Sequence, residues 1–234
     1  MIPKEKFIEE YLKETEDICH KINQKDIANF IDLLFDAWKK GKKVITMGNG
    51  GSASTASHFA ADLSKTVAND SSMKEISQIK GFKAICLNDN PSSLTAWIND
   101  SGWDKAYAGL LNTFLEEGDV ILLISVHGGS GWSGNIVQAM EIAKKRGAKI
   151  VGLAGFDGGK MKEMSDVCIV VSKDSTPQVE GFHGVLQHLI VDRLREAVQE
   201  YSRNNFLEKV EELSSHCTDE VIKLKLNDII KEIK

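Results

Sequence analysis

No run in the sequence is apolar for long enough to cross a membrane, and the opening MIPKEKFIEEYLKE is too polar for a signal peptide. A cytoplasmic protein with no membrane partner is the expectation. Basic charge is also scarce. Lys and Arg number 29 against 34 Asp and Glu, and the resulting net charge of −5 argues against a general nucleic-acid binder. Cysteines are few and scattered: Cys19, Cys86, Cys168 and Cys217 form no CxxC pair, which excludes a zinc-ribbon or disulfide framework and fits reduced thiols. With only three prolines and no low-complexity segment, nothing reads as a linker, so a single domain over residues 1–234 is expected.

What is present is an alternation of periods. Two amphipathic helical patterns come first, one placing Phe7, Tyr11, Leu12, Thr15, Ile18 and Ile22 on a stripe, the other Ile27, Phe30, Ile31, Leu34, Phe35 and Trp38. Short apolar strands are then predicted at 43–47, 82–87, 120–125, 150–153 and 167–171. Helical stretches separate them at 54–66, 93–115 (broken around Ser101-Gly102), 132–146 and 160–164. Such alternation implies α/β architecture: a five-stranded parallel sheet covered by helices on both faces. Ser175-Thr176-Pro177 starts another helix, running to about Tyr201. Asn204-Asn205 reads as a break, with two further amphipathic helices at 206–216 and 219–234 forming a C-terminal extension from residue 204. The last carries Val221, Ile222, Leu224, Leu226, Ile229, Ile230 and Ile233, which predicts packing on this chain or a partner.

Two strand ends carry unusual loops, and in a parallel sheet ligands collect at carboxyl ends of strands. The first is Gly48-Asn49-Gly50-Gly51-Ser52, between an apolar run and a helix. Glycines let backbone come close, and the N–H groups at a helix start favour an anion such as phosphate. Ser52 and Ser54 add hydroxyls, while His58 and Asp62, four residues apart, share one helical face. The second loop, SVHGGSGWSGN (125–135), repeats the chemistry, with Ser125, His127 and Ser130 as donors. Two such loops on one sheet would clamp one phosphorylated ligand.

In order along the chain stand GNGGSASTASHFAADL (48–63), LTAWINDSGWDKAY (94–107), GDVILLISVHGGSGWSGN (118–135), GLAGFDGGKMKEMSDVCIVV (152–171) and EGFHGVLQHL (180–189). Together they resemble the sugar isomerase (SIS) domain, in its phosphoheptose isomerase branch. The resemblance covers roughly residues 27–198, with a core of about 27–200. It implies an SIS-type three-layer α-β-α sandwich and a homotetramer with phosphosugar sites between subunits. It also implies conversion of sedoheptulose 7-phosphate to D-glycero-D-manno-heptose 7-phosphate for surface-polysaccharide precursors, often with bound zinc and with no nucleotide cofactor. Phosphate contacts carry over to Ser52, Ser125 and Ser130, and pocket-lining positions to Asn49 and Asp100.

The same resemblance carries the acid–base pair to Asp62 and His188, and the metal ligands to His58, Asp62, Glu180 and His188. Asp62 stands where the family has glutamate, one methylene shorter in reach, and Glu180 where many members have glutamine. Glu180 and His188 are eight residues apart, about 12 Å along a regular helix, too far for one ion. Either the helix begins after Glu180, or the shell uses other residues, with His183 and Gln187 as substitutes. SIS domains also serve as non-catalytic phosphosugar sensors or protein scaffolds, a reading favoured by the departures at Asp62, Glu180 and the longer second loop, and opposed by His58 and His188.

Overall fold

The computed structural model describes residues 2–68 and 79–233; Lys234, the end of the last expected helix, lies outside them. Helices α1 (Lys4–Lys21) and α2 (Gln24–Lys39) open the chain, and the Asn23 side chain caps the second by accepting from the Lys25 N–H at 3.0 Å. Strand β1 (Lys43–Gly48) leads into α3 (Gly51–Ala61), which continues as a π-helical turn over Asp62–Thr66. After β2 (Lys83–Cys86) come α4 (Pro91–Ser101), a 3₁₀ turn at Trp103–Lys105 and α5 (Ala106–Phe114). The remainder is β3 (Val120–Ser125), α6 (Gly134–Lys145), β4 (Lys149–Gly155), α7 (Gly159–Met164), β5 (Val167–Val171), α8 (Thr176–His216) and α9 (Glu220–Ile233).

All five strands are parallel, in the order β2-β1-β3-β4-β5. The chain winds one way from β1 to β2, then jumps back past β1 to lay down β3. Strand order therefore reverses between β1 and β3, and a crevice opens there at the carboxyl ends. Register sets Gly48 opposite Ile124, so the two glycine-containing loops leave the sheet side by side.

Alternation along the strands divides the apolar side chains between two faces. Val44, Val120, Leu122, Ile124 and Val151 pack with Phe30 and Leu34 of α2, Phe59 of α3 and Leu186, Ile190 and Leu194 of α8. Ile45, Met47, Ile121, Leu123 and Ile150 pack with Tyr107 and Leu111 of α5, Met140 of α6 and Met161 of α7. These layers form the expected α-β-α sandwich. All six residues of β3 are buried, as a central strand covered on both faces requires.

One expected boundary is corrected. Asn204-Asn205 does not interrupt the chain; α8 runs unbroken for 41 residues from Thr176 to His216. Asparagine costs a helix well under 1 kcal/mol, a penalty that packing readily overrides. Helix α9 folds back on α8, where the Ser214 hydroxyl donates to Asn227 Oδ1 at 2.9 Å. This hairpin still leaves Val221, Ile222 and Leu224 exposed, and α1 likewise exposes Phe7, Ile8 and Leu12. Among the described residues, no helix is long and apolar enough to cross a membrane.

Candidate active site

Gly48 determines how closely the first loop can pack. A Cβ there would lie 2.6 Å from the Ser52 carbonyl oxygen and 2.9 Å from that of Ile124, both backbone atoms. Only glycine lets the first turn of α3 settle against the end of β3. Gly50, at φ +56, stands at the cap of α3 and offers no side chain to satisfy its first N–H groups. Ser52 is buried in that turn. Gly51 faces the carboxylate of Glu180: a Cβ at Gly51 would sit 2.7 Å from Glu180 Oε1.

The second loop is fastened to the turn after β4. Ser125 is buried and its Oγ accepts from the Gly129 N–H at 3.3 Å. Gly128, at φ +58, lies so close to Gly158 that a Cβ would come within 2.0 Å of its carbonyl oxygen. The Gly128 carbonyl accepts from the Met161 N–H at 2.8 Å. The His127 ring rests against Phe156, with centroids 4.4 Å apart, and meets Trp132 edge-on at 6.0 Å. Ser130 and Trp132 are exposed. Asp100 is also exposed, on α4, where it accepts from Asn99 Nδ2 at 2.8 Å. Asp104 approaches α6 instead: a Cβ at Gly134 would sit 2.6 Å from its Oδ1.

A buried polar network joins the two loops, and sequence reading did not single out its members beyond Asn49. The amides of Asn49 and Asn135 pair reciprocally, Asn49 Nδ2 donating to Asn135 Oδ1 at 3.0 Å and Asn135 Nδ2 to Asn49 Oδ1 at 2.9 Å. Asn135 Oδ1 also accepts from the Ile136 N–H at 2.9 Å. Beneath them the Tyr107 hydroxyl donates to the Gly48 carbonyl and accepts from Asn88 Nδ2 at 2.9 Å. Burial pushes the Tyr107 phenol up to about 12, so it stays a neutral donor. The signal for Asn88 was its place just past β2, at the ligand-binding edge of the sheet.

Two turns along α3 from the loop, His58 and Asp62 meet His188 of α8. Asp62 Oδ2 lies 3.3 Å from His58 Nε2 and 3.8 Å from His188 Nδ1, and the imidazole centroids are 5.0 Å apart. One ligand atom from each residue lies within 4.8 Å of the other two. Ligands held 2.0–2.1 Å from a tetrahedral zinc ion stand about 3.4 Å from one another, and the two imidazole–carboxylate separations are close to that value. Both oxygens of Asp62 are engaged: the Thr66 hydroxyl donates to Oδ1 at 2.8 Å, and the buried Gln187 Nε2 to Oδ2 at 3.1 Å.

The expected fourth ligand does not join this group. Helix α8 begins at Thr176 with Pro177 in its first turn, so Glu180 and His188 both lie within it, about 12 Å apart by helical rise. Glu180 instead flanks the first glycine loop at Gly51. His183 is not a substitute ligand either, since it is buried with Nε2 3.2 Å from the Ala154 carbonyl oxygen, and burial lowers its pKa to about 4.

A parallel α/β sheet with two glycine-containing loops at its switch point, and a His–Asp–His cluster beside one of them, fits the SIS domain family. The chain belongs to that family: residues 10–155 match the SIS domain. It is similar to the phosphoheptose isomerase of Aliarcobacter butzleri, 33% identical over 189 residues, which cover 80% of this chain and 94% of the relative. The phosphoheptose isomerase of Geotalea uraniireducens is 40% identical over 168 residues, 72% of this chain and 83% of that one. A lincomycin biosynthesis protein, LmbN of Streptomyces lincolnensis, is 39% identical over 165 residues; the match spans 68% of this chain but only 58% of LmbN. Among solved structures, phosphoheptose isomerase from Neisseria gonorrhoeae superposes with a TM-score of 0.71 at 26% identity, covering 83% of this chain and all of that one.

Proposed function

We propose that this protein is a phosphosugar aldose–ketose isomerase whose substrate is sedoheptulose 7-phosphate and whose product is D-glycero-D-manno-heptose 7-phosphate. The observation that carries the reading is the His58–Asp62–His188 cluster, in which His58 and Asp62 follow the glycine loop along α3 and its π-helical continuation and His188 comes from α8. Six residues separate Ser52 from His58, about 9 Å of helical rise. That matches the roughly 9 Å between a 7-phosphate and C2 in an extended seven-carbon chain built from ordinary bond lengths. The phosphate is held by backbone N–H groups of Gly50, Gly51 and Ser52, with Ser125, Ser130 and His127 closing from the second loop. Asn49 and Asp100 contact sugar hydroxyls.

In the reaction Asp62 takes a proton from C1 as the C1–H bond breaks, and His188 protonates the C2 carbonyl oxygen, giving an enediol. Return of a proton to C2 and loss of the C1 hydroxyl proton complete the aldose. His58, Asp62 and His188 would hold a zinc ion, which supplies polarisation of the substrate carbonyl when bound. No nucleotide cofactor enters this chemistry. The exposed apolar faces of α1 and α8, where Val185 and Leu189 flank His188, support a homotetramer with sites at subunit interfaces. A cytoplasmic location and the single-domain reading are part of the same proposal.

Purified protein is incubated with sedoheptulose 7-phosphate, with and without zinc, and the aldose followed by NMR. Turnover by the native protein is expected, with loss in Asp62→Ala and His188→Ala while ligand binding persists. Binding without turnover in the native protein would instead support a phosphosugar sensor.

A further inference from the structure

Asp62 is held more tightly than an exposed helix-face carboxylate needs to be. Its side chain is 17% exposed, and each oxygen has its own donor from the protein. Oδ1 accepts from Thr66, which the π-helical turn of Asp62–Thr66 brings into line. That turn is closed by the Val67 N–H donating to the Asp62 carbonyl at 3.1 Å, the i to i+5 pattern that shifts every later side chain around the axis. Oδ2 accepts from Gln187, a residue 125 positions away whose side chain is buried.

The chemistry of the donors matters. A primary amide places an N–H on the same oxygen that faces both imidazoles, leaving that oxygen one outward direction in which to bind a cation. A carboxylate shortened by one methylene cannot reach outward by bending its own stem. It must be aimed by its surroundings, as ligating carboxylates commonly are by outer hydrogen bonds.

We infer that Gln187 and Thr66 are positioning residues that aim the Asp62 carboxylate, one oxygen each, so that Oδ2 completes a cation-binding triad with His58 and His188. Gln187 acts here as a donor to a ligand and is not itself a ligand. The inference rests on the proposed isomerase site but is read on metal affinity, so the two can fail separately.

The experiment is zinc titration of the full chain in competition with a chromogenic chelator, for the native protein, Gln187→Leu, Thr66→Val, Asp62→Asn and the Gln187→Leu/Asp62→Asn double variant. Gln187→Leu is expected to weaken zinc by 10-fold or more, the usual range for an outer-shell partner, and Thr66→Val to weaken it in the same direction. In the Asp62→Asn background, Gln187→Leu should have little further effect. Unfolding midpoints of the metal-free proteins report any general loss of fold, which a purely structural role would produce without this coupling. Unchanged affinity in Gln187→Leu, or no zinc binding by the native protein, overturns the inference. Turnover is measured separately: zinc binding with the expected coupling but no isomerisation would count against the proposed reaction alone.

Discussion

Replacing Asn135 by alanine removes the tie between the two loops, and its cost can be worked from the contacts. Asn135 is 1% exposed and makes three hydrogen bonds through its amide: two with Asn49, at 3.0 and 2.9 Å, and one from the Ile136 N–H at 2.9 Å. The Ile136 N–H keeps a second acceptor, the Ser133 carbonyl at 3.1 Å, so its loss costs little. The two amide–amide bonds contribute about 1 kcal/mol each net, and the half-buried Asn49 amide left behind adds a partial desolvation penalty. A loss of about 2–3 kcal/mol is expected. For a chain of this size that lowers Tm by roughly 5–10 °C. Urea denaturation of Asn135→Ala, Asn49→Ala and the double variant forms a cycle. The double variant should fall short of the sum by about 1–2 kcal/mol, because the second removal finds no partner to strand. A cost below about 0.5 kcal/mol, or strict additivity, would refute the view that the amide pair joins the loops.

Glycines at the first loop should separate into two kinds. Gly48→Ala drives a Cβ into backbone oxygens at 2.6 and 2.9 Å, so about 1–3 kcal/mol of destabilisation and loss of phosphosugar binding are expected. Gly50→Ala meets no atom within 4 Å and should cost only the penalty of a positive φ, about 1–2 kcal/mol, with phosphosugar binding kept; equal loss of binding in the two variants would contradict the difference. His183 gives a pH dependence. Its folded pKa of about 4 lies below the unfolded value of 6.5, so the folded state binds fewer protons. The stability it contributes is therefore present above pH 6.5 and lost as pH falls toward 4, by about 3 kcal/mol at most. His183→Gln should flatten denaturation curves across that window, and an unchanged slope would argue against a buried neutral imidazole.

The sheet and its loops were legible because each strand is a short apolar run and each loop a break of glycine and serine. Their adjacency was not, since it depends on β3 pairing with β1 instead of β2. His58 and Asp62 were visible as an i,i+4 pair on one helix. Their contact with His188 spans more than 120 residues and depends on how α8 crosses α3, which local periodicity does not encode. Tyr107 sits among apolar neighbours and reads as a core position, Gln187 stood out only as a substitute ligand and not as a donor to Asp62, and Asn135 blends into a polar loop. The break expected at Asn204-Asn205 failed for a related reason: a weak local signal was overridden by the packing of α9 against α8.

The most direct test of the central claim is isomerisation of sedoheptulose 7-phosphate in D2O, with deuterium at C2 of the aldose product read by NMR. An enediol formed by Asp62 and His188 exchanges its mobile proton with solvent, so the account predicts an aldose 7-phosphate carrying deuterium at C2, and none formed by Asp62→Asn. Absence of any aldose product from the native protein, with zinc supplied, would contradict it.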